Sequence, residues 1–162
     1  MNKIVINTSP LIVLFKSQLT YLLPQLFTEI IVPSGVWGEI VKAGKIDIAS
    51  QELPNANWAK QVTISEISAL IVPWGIDLGE SEVLTFALEN IGYRAVIDDA
   101  AARKVAKSLN IPFMGTLGIL VLAKKQGLIT SIDEPIQVLQ KAGLWLSNDL
   151  FRFLKNRLMN KL

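Results

Sequence analysis

Short, solidly apolar segments alternate with helical patterns along this chain, and that alternation restricts its fold more than any other feature. KIVIN (3–7), TEIIVP (28–33), YRAVI (93–97) and IPFM (111–114) read as strands, with VTIS (62–65) a short further one inside the weakly patterned stretch 46–74. TSPLIVLFKSQ (8–18) reads as a helix with Thr8 or Ser9 as N-cap and Pro10 in its first turn. PSGVWGEIVKAG (33–44) reads as a helix opened by Pro33–Ser34 and closed near Gly44. LGESEVLTFALENIG (78–92) ends at Gly92, DAAARKVAKSLN (99–110) sets Ala102, Val105, Ala106 and Leu109 on one face, and TLGILVLAKKQG (116–127) follows. The tail adds SIDEPIQVLQKAG (131–143) and SNDLFRFLKNRLMN (147–160). Strands alternating with helices build βαβ units around a parallel sheet. Such a sheet is buried on both faces, so its strands are apolar throughout rather than alternating. The expected class is α/β.

The 162 residues suit one domain with a substantial core. Apolar residues make up 51% and mean hydropathy is +0.40, so a membrane location is the first alternative to test. No run approaches the ~20 uninterrupted apolar residues of a spanning helix. The most apolar stretch, GTLGILVLA, ends at Lys124 and Lys125. One lysine followed by IVIN at the start reads as a strand, not a signal peptide. The chain has no cysteine and no histidine. That composition excludes disulfides, Cys/His zinc sites, thiol nucleophiles, the Ser-His-Asp triad and imidazole acid–base chemistry. It also suits a cytoplasmic location. A net charge of +2 does not by itself indicate nucleic acid.

Chemistry must therefore rest on carboxylates, hydroxyls, amides, Lys and Arg. In open α/β sheets, ligands gather beyond the carboxyl ends of the strands. Asn7-Thr8-Ser9, Pro33-Ser34, Asp98-Asp99 and Gly115-Thr116 fall there. Asp99 suits an N-cap paired with Arg103 four residues on, but one aspartate is enough for a cap. Two adjacent carboxylates also suit a hard cation such as Mg²⁺ or Mn²⁺. On a helical wheel, Val83, Leu84, Ala87, Leu88 and Ile91 form one apolar stripe with Glu80 at its centre. Glu80 is then either an inward carboxylate in need of a partner or a wet first-turn acid favoured by the helix dipole. Glu82 lies nearly opposite, beside Glu89, and reads as a solvated charge. Glu39 lies on the margin of the face set by Val36, Trp37, Ile40 and Val41, where pairing with Lys42 or Lys45 is the plain explanation. Asn7 suits a turn or cap, and its amide oxygen is a weak, uncharged metal donor.

Taken in order, VINTSPLI, VPSGVWGEI, GESEVLTFAL, VIDDAAAR and GTLGILVLAKKQGLI resemble the PIN-domain family, many of whose members are VapC-like ribonuclease toxins. The likeness is greatest to a poorly characterised PIN-like subgroup with GExE and DDxxxR motifs. It covers roughly residues 1–130 as an ordered set, which is more specific than any single motif. The resemblance implies a three-layer α/β/α fold, with residues 1–130 as the nuclease domain. Residues 131–162 would be a C-terminal helical extension packing on the same domain or on a partner. It implies a cluster at the sheet's carboxyl edge formed by Asn7, Glu39, Glu80 and Asp99. Glu39, Glu80 and Asp99 would hold Mg²⁺ or Mn²⁺, and Asp98 would assist directly or through water. Thr8, Ser9, Arg103 and Thr116 would contact substrate, with Lys104, Lys107, Arg152, Lys155 and Arg157 as further phosphate contacts. Asn7 departs from the family, which has aspartate there; one ligand charge is lost, so a metal would be held less tightly.

The function implied is a Mg²⁺- or Mn²⁺-dependent ribonuclease, the toxin of a type II toxin–antitoxin pair, leaving a 5′-phosphate and a 3′-hydroxyl. RNA, a cognate antitoxin and a second copy of the chain would be its partners. The alternative is a catalytically weak or inactive PIN fold acting as an RNA- or protein-binding module, which Asn7 favours. A receiver domain also pairs aspartates on a parallel sheet, but its acidic pair follows the first strand, where this chain has Asn7. The tail, with Leu144, Leu146, Leu150, Phe151, Phe153 and Leu154 on more than one face, reads as buried against something.

Overall fold

A computed structural model describes residues 2–42 and 44–144. Five strands form one sheet: β1 (Lys3–Ile6), β2 (Glu29–Pro33), β3 (Ala59–Val62), β4 (Tyr93–Val96) and β5 (Phe113–Met114). Their order is β3-β2-β1-β4-β5, and every pairing is parallel. The eight α-helices among the described residues are α1 (Thr8–Lys16), α2 (Leu22–Leu26), α3 (Ser34–Ile40), α4 (Ile48–Glu52), α5 (Leu78–Glu89), α6 (Ala100–Ser108), α7 (Thr116–Lys125) and α8 (Asp133–Lys141). The fold is the expected three-layer α/β/α arrangement.

β1 is the central strand, and Ile4, Val5 and Ile6 have no exposed surface. Each such side chain contributes about 1.5–3 kcal/mol of burial free energy. The chain steps one way from β1 to β2 and β3, then crosses back to β4 and β5. Because parallel crossovers are right-handed, the two directions of travel place their helices on opposite faces. α1 packs on α4 and α8, and α2 packs on α7, while α5 packs on α6, β1 and β2. α3 touches both α1 and α5, and it starts directly after β2. It therefore sits at the sheet's carboxyl edge. Ile132, Ile136 and Leu139 join the same core as the sheet.

Several expectations are corrected. The third strand forms at Ala59–Val62 rather than 62–65. It lies at the sheet's edge with Lys60 and Gln61 exposed, so no apolar run marked it. α3 stops at Ile40, well short of Gly44. Asn7, not Thr8 or Ser9, flanks α1, because its carbonyl accepts the Leu11 N–H at 3.3 Å. α2 was not anticipated; its five residues are too few to show a period. The helix expected at 147–160 and the apolar tail beyond Leu144, with Arg152, Lys155 and Arg157, lie outside the described residues. Among the described residues, no helix is long and apolar enough to cross a membrane.

Candidate functional site

The strand order reverses at β1, so the connections leaving β1 and β4 diverge at their carboxyl ends. That topological switch point is where open parallel sheets form a crevice. Asn7 leaves β1 there, and Asp98 and Asp99 follow β4. α3 and α5 bring Glu39 and Glu80 toward the same edge.

Asn7 is 5% exposed. Its N–H extends the sheet ladder to the Val96 carbonyl at 3.1 Å, which fixes its backbone beside β4. Its side chain caps nothing in α1. Instead its amide oxygen lies beside the first turn of α5, with the Glu39 carboxylate close by. A Cβ on Gly79 would stand 2.8 Å from Glu39 Oε1 and 3.4 Å from Asn7 Oδ1. A side chain at Gly79 would push the Glu39 carboxylate aside. The Thr8 hydroxyl donates to Glu39 Oε2 at 2.5 Å. The anticipated Lys42 or Lys45 pairing with the Glu39 carboxylate is not formed: Lys45 donates to the Glu39 carbonyl at 3.5 Å and pairs with Asp47 at 3.9 Å.

Glu80 lies in the first turn of α5. Its carboxyl is pushed up to about 7. Burial is the largest cause, followed by the negative charges of Asp99, Asp77 and Glu39, while a hydrogen bond from the Asp77 backbone pulls the other way. The same charges thus place Glu80 within electrostatic reach of Asp99 and Glu39. Asp77, which flanks α5, is a member of this acidic group that the sequence did not single out.

The two adjacent aspartates have different neighbours. Asp99 caps α6, with Oδ2 accepting the Ala102 N–H at 3.0 Å. Asp98 turns away and takes two bonds from the start of α7, from the Thr116 N–H at 2.8 Å and the Thr116 hydroxyl at 2.5 Å. Thr116 has no exposed surface, so its polar groups serve Asp98. Ser9 is exposed and shares a cleft of about 370 Å³ with Asp98, Ile12, Val13 and the end of α8. Arg103 is exposed and stacks its guanidinium 5.5 Å from the Phe113 ring centre, forming no ion pair with Asp99. Thr116→Val keeps the shape and deletes one charge-assisted bond, so the protein should lose about 1.5–3 kcal/mol. A fall in melting temperature of several degrees checks this; an unchanged melt would mean the hydroxyl contributes nothing.

Glu82 overturns the reading of it as a solvated charge. It is 7% exposed, and Oε2 accepts the Gly35 N–H at 2.8 Å. Its carboxyl is raised by burial, opposed by the Gly35 bond and reinforced by Glu39. The wheel assumed one buried stripe, yet α5 is buried on two sides. Ser81, Glu82 and Thr85 are all buried, and Thr85 accepts the Ser68 N–H at 3.1 Å, whereas Ile91 is fully exposed. Small hydroxyl residues on the Glu82 side of the helix, Ser81 and Thr85, were the available signal, since they allow another backbone to approach.

All the donors in this group are oxygens, which suits a hard divalent cation. Among the described residues, Glu39, Glu80, Glu82, Asp98 and Asp99 have no cationic partner, and Lys45 pairs with Asp47. Among those residues, no three acids converge closely enough to hold an ion as they stand. Donor chemistry fits a metal, and holding one would require the carboxylates to draw together. A family model described as a PIN domain matches residues 3–159. No curated protein matches the chain.

Proposed function

This chain belongs to the PIN-domain family, and from that premise we propose that it is a Mg²⁺- or Mn²⁺-dependent ribonuclease hydrolysing phosphodiester bonds at the carboxyl edge of its sheet. Family membership supports a nuclease-type function in general. The observation that carries the finer reading is Glu80, forced up to about 7 among Asp99, Asp77 and Glu39, with no lysine or arginine among the described residues paired to any of them. Anions gathered without a counter-charge reduce stability, and a divalent cation reverses that interaction.

In this proposal Glu39, Glu80 and Asp99 hold the ion, with the Asn7 amide oxygen as a neutral fourth donor. Thr8 orients Glu39 through its hydroxyl. Asp99 keeps one oxygen on the cap of α6 and offers the other. Asp98, clasped by Thr116, joins β4 to the start of α7 and supports Asp99 from the neighbouring position. When bound, the metal supplies Lewis-acid polarisation of the scissile phosphate and a more acidic water for in-line attack. Glu80 must release its proton to take part. Ser9 and Arg103 are exposed and would meet the RNA, Arg103 as a phosphate contact.

We place the activity in the cytoplasm as the toxin of a type II pair, held silent by a cognate antitoxin and assembled as a homodimer. The second reading, a weakly active PIN fold that binds RNA or protein, draws on Asn7, a buried amide where a further carboxylate would bind metal better. Purified protein incubated with mixed RNA, with and without Mn²⁺ and beside Asp99→Ala, separates them. Metal-dependent cleavage lost in Asp99→Ala supports the nuclease. Absent cleavage, or cleavage that survives the substitution unchanged, ends that reading.

A further inference from the structure

Helices leave their first N–H groups without intrahelical partners. α3 begins at Ser34, and Pro33 before it supplies no side-chain cap. The Gly35 N–H is instead taken by Glu82, a buried carboxylate from α5. The fit is close: a Cβ on Gly35 would run into the Glu82 carboxylate. Glu39 lies one helical turn beyond Gly35 on α3, and Glu80 lies two residues before Glu82 on α5. The bond therefore ties the helix bearing one acid to the helix bearing another. At its far end α3 is held again, where Thr8 grips Glu39.

We propose that Glu82 is a positioning residue: its carboxylate fixes the first turn of α3 against α5 and so sets where Glu39 stands in the acidic group. The functional consequence rests on the metal-dependent reading given above. Glu82 needs only an acceptor oxygen for this task, not a charge. A buried residue serving merely as packing would be replaced well by any side chain of similar size. A metal ligand would fail on loss of its charge. A tether differs from both, tolerating glutamine and not a side chain that lacks an acceptor oxygen, whatever its size.

Glu82→Gln, Glu82→Ala, Gly35→Ala and the double variant Gly35→Ala/Glu82→Ala, each beside the unaltered chain, test this. Free Mn²⁺ measured by electron paramagnetic resonance gives metal affinity, and ¹⁵N–¹H spectra report the α3 amides. Glu82→Gln should stay within ~3-fold of the parent in affinity, with the Gly35 amide signal still shifted as in a hydrogen bond. Glu82→Ala should weaken Mn²⁺ by ~10-fold or more, the scale expected when a support of a metal ligand is lost. Gly35→Ala displaces the carboxylate and should match it, and the double variant should be no weaker than either single one. Unchanged affinity and α3 signals in Glu82→Ala overturn the proposal. Glu82→Gln as damaging as Glu82→Ala also overturns it, because charge rather than an acceptor would then be the requirement. If Glu82→Ala does not fold, Glu82→Gln and Gly35→Ala still decide. If the unaltered chain takes up no Mn²⁺, the metal reading falls separately, and the Gly35 and α3 signals alone judge the tether.

Discussion

Glu80→Gln should cleave RNA ~100-fold more slowly than the unaltered chain at pH 8 with Mn²⁺, yet melt at a higher temperature in EDTA at the same pH. The loss corresponds to about 2.7 kcal/mol of transition-state stabilisation, an ordinary share for a ligand of a catalytic metal. The gain follows from the carboxyl's position at about 7. A group whose folded pKa lies above its unfolded value contributes its stability at pH below the unfolded value, near 4.3, and loses it as pH rises through the folded one. By pH 8 the anion is present, and burial and the charges of Asp99, Asp77 and Glu39 oppose it. Glutamine is neutral at every pH and escapes that penalty. Allowing for solvent screening of a partly exposed group, the gain is about 1 kcal/mol, or roughly 2–4 °C in melting temperature. The advantage should disappear at pH 4, where both side chains are uncharged. Cleavage unaffected by the substitution, or a lower melt at pH 8 in EDTA, would remove Glu80 from the proposed site.

Asn7→Asp should act in the opposite direction on both measurements. The substitution is nearly isosteric and puts a carboxylate beside Glu39, where the amide oxygen now lies near the first turn of α5. At a site only 5% exposed, a further anion draws a divalent cation strongly but also pays desolvation and repulsion from the other acids. The expected balance is a ~10-fold or greater gain in Mn²⁺ affinity, equivalent to about 1.4 kcal/mol. Cleavage should rise with it. Without metal the variant should lose about 1–2 kcal/mol at pH 8, visible as a lower melt that Mn²⁺ restores. Affinity no better than that of the parent in a folded variant would show that position 7 faces no metal.

The sheet and its order of elements were legible because buried parallel strands leave unbroken apolar runs, and KIVIN and YRAVI carry that signature. Strand β3 was misplaced because Ala59–Val62 is a half-exposed edge whose pairing depends on β2, not on its own pattern. In the acidic group, the register of α5 put Val83, Leu84 and Ala87 in the core as expected, and Glu80 on the same stripe is half-buried. Glu82 escaped the same wheel because it packs against a backbone N–H rather than a side chain. No periodicity of hydrophobic residues reports a helix received by glycine. The division of work between Asp98 and Asp99 also lay beyond the sequence, because it depends on Thr116, whose proximity arises only when β5 pairs with β4.

The central strand has a consequence in time. β1 pairs with β2 on one side and with β4 on the other, and the second pairing joins Lys3 to Tyr93, about ninety residues later. During synthesis at roughly 5–20 residues per second, β1 would wait several seconds or more for its second neighbour. For that interval its Ile4, Val5 and Ile6 lack half of their final cover, and its unpaired edge can accept another chain. Refolding of this domain should accordingly be slow beside that of helical domains of similar size, since a long loop must close before the most buried strand is complete.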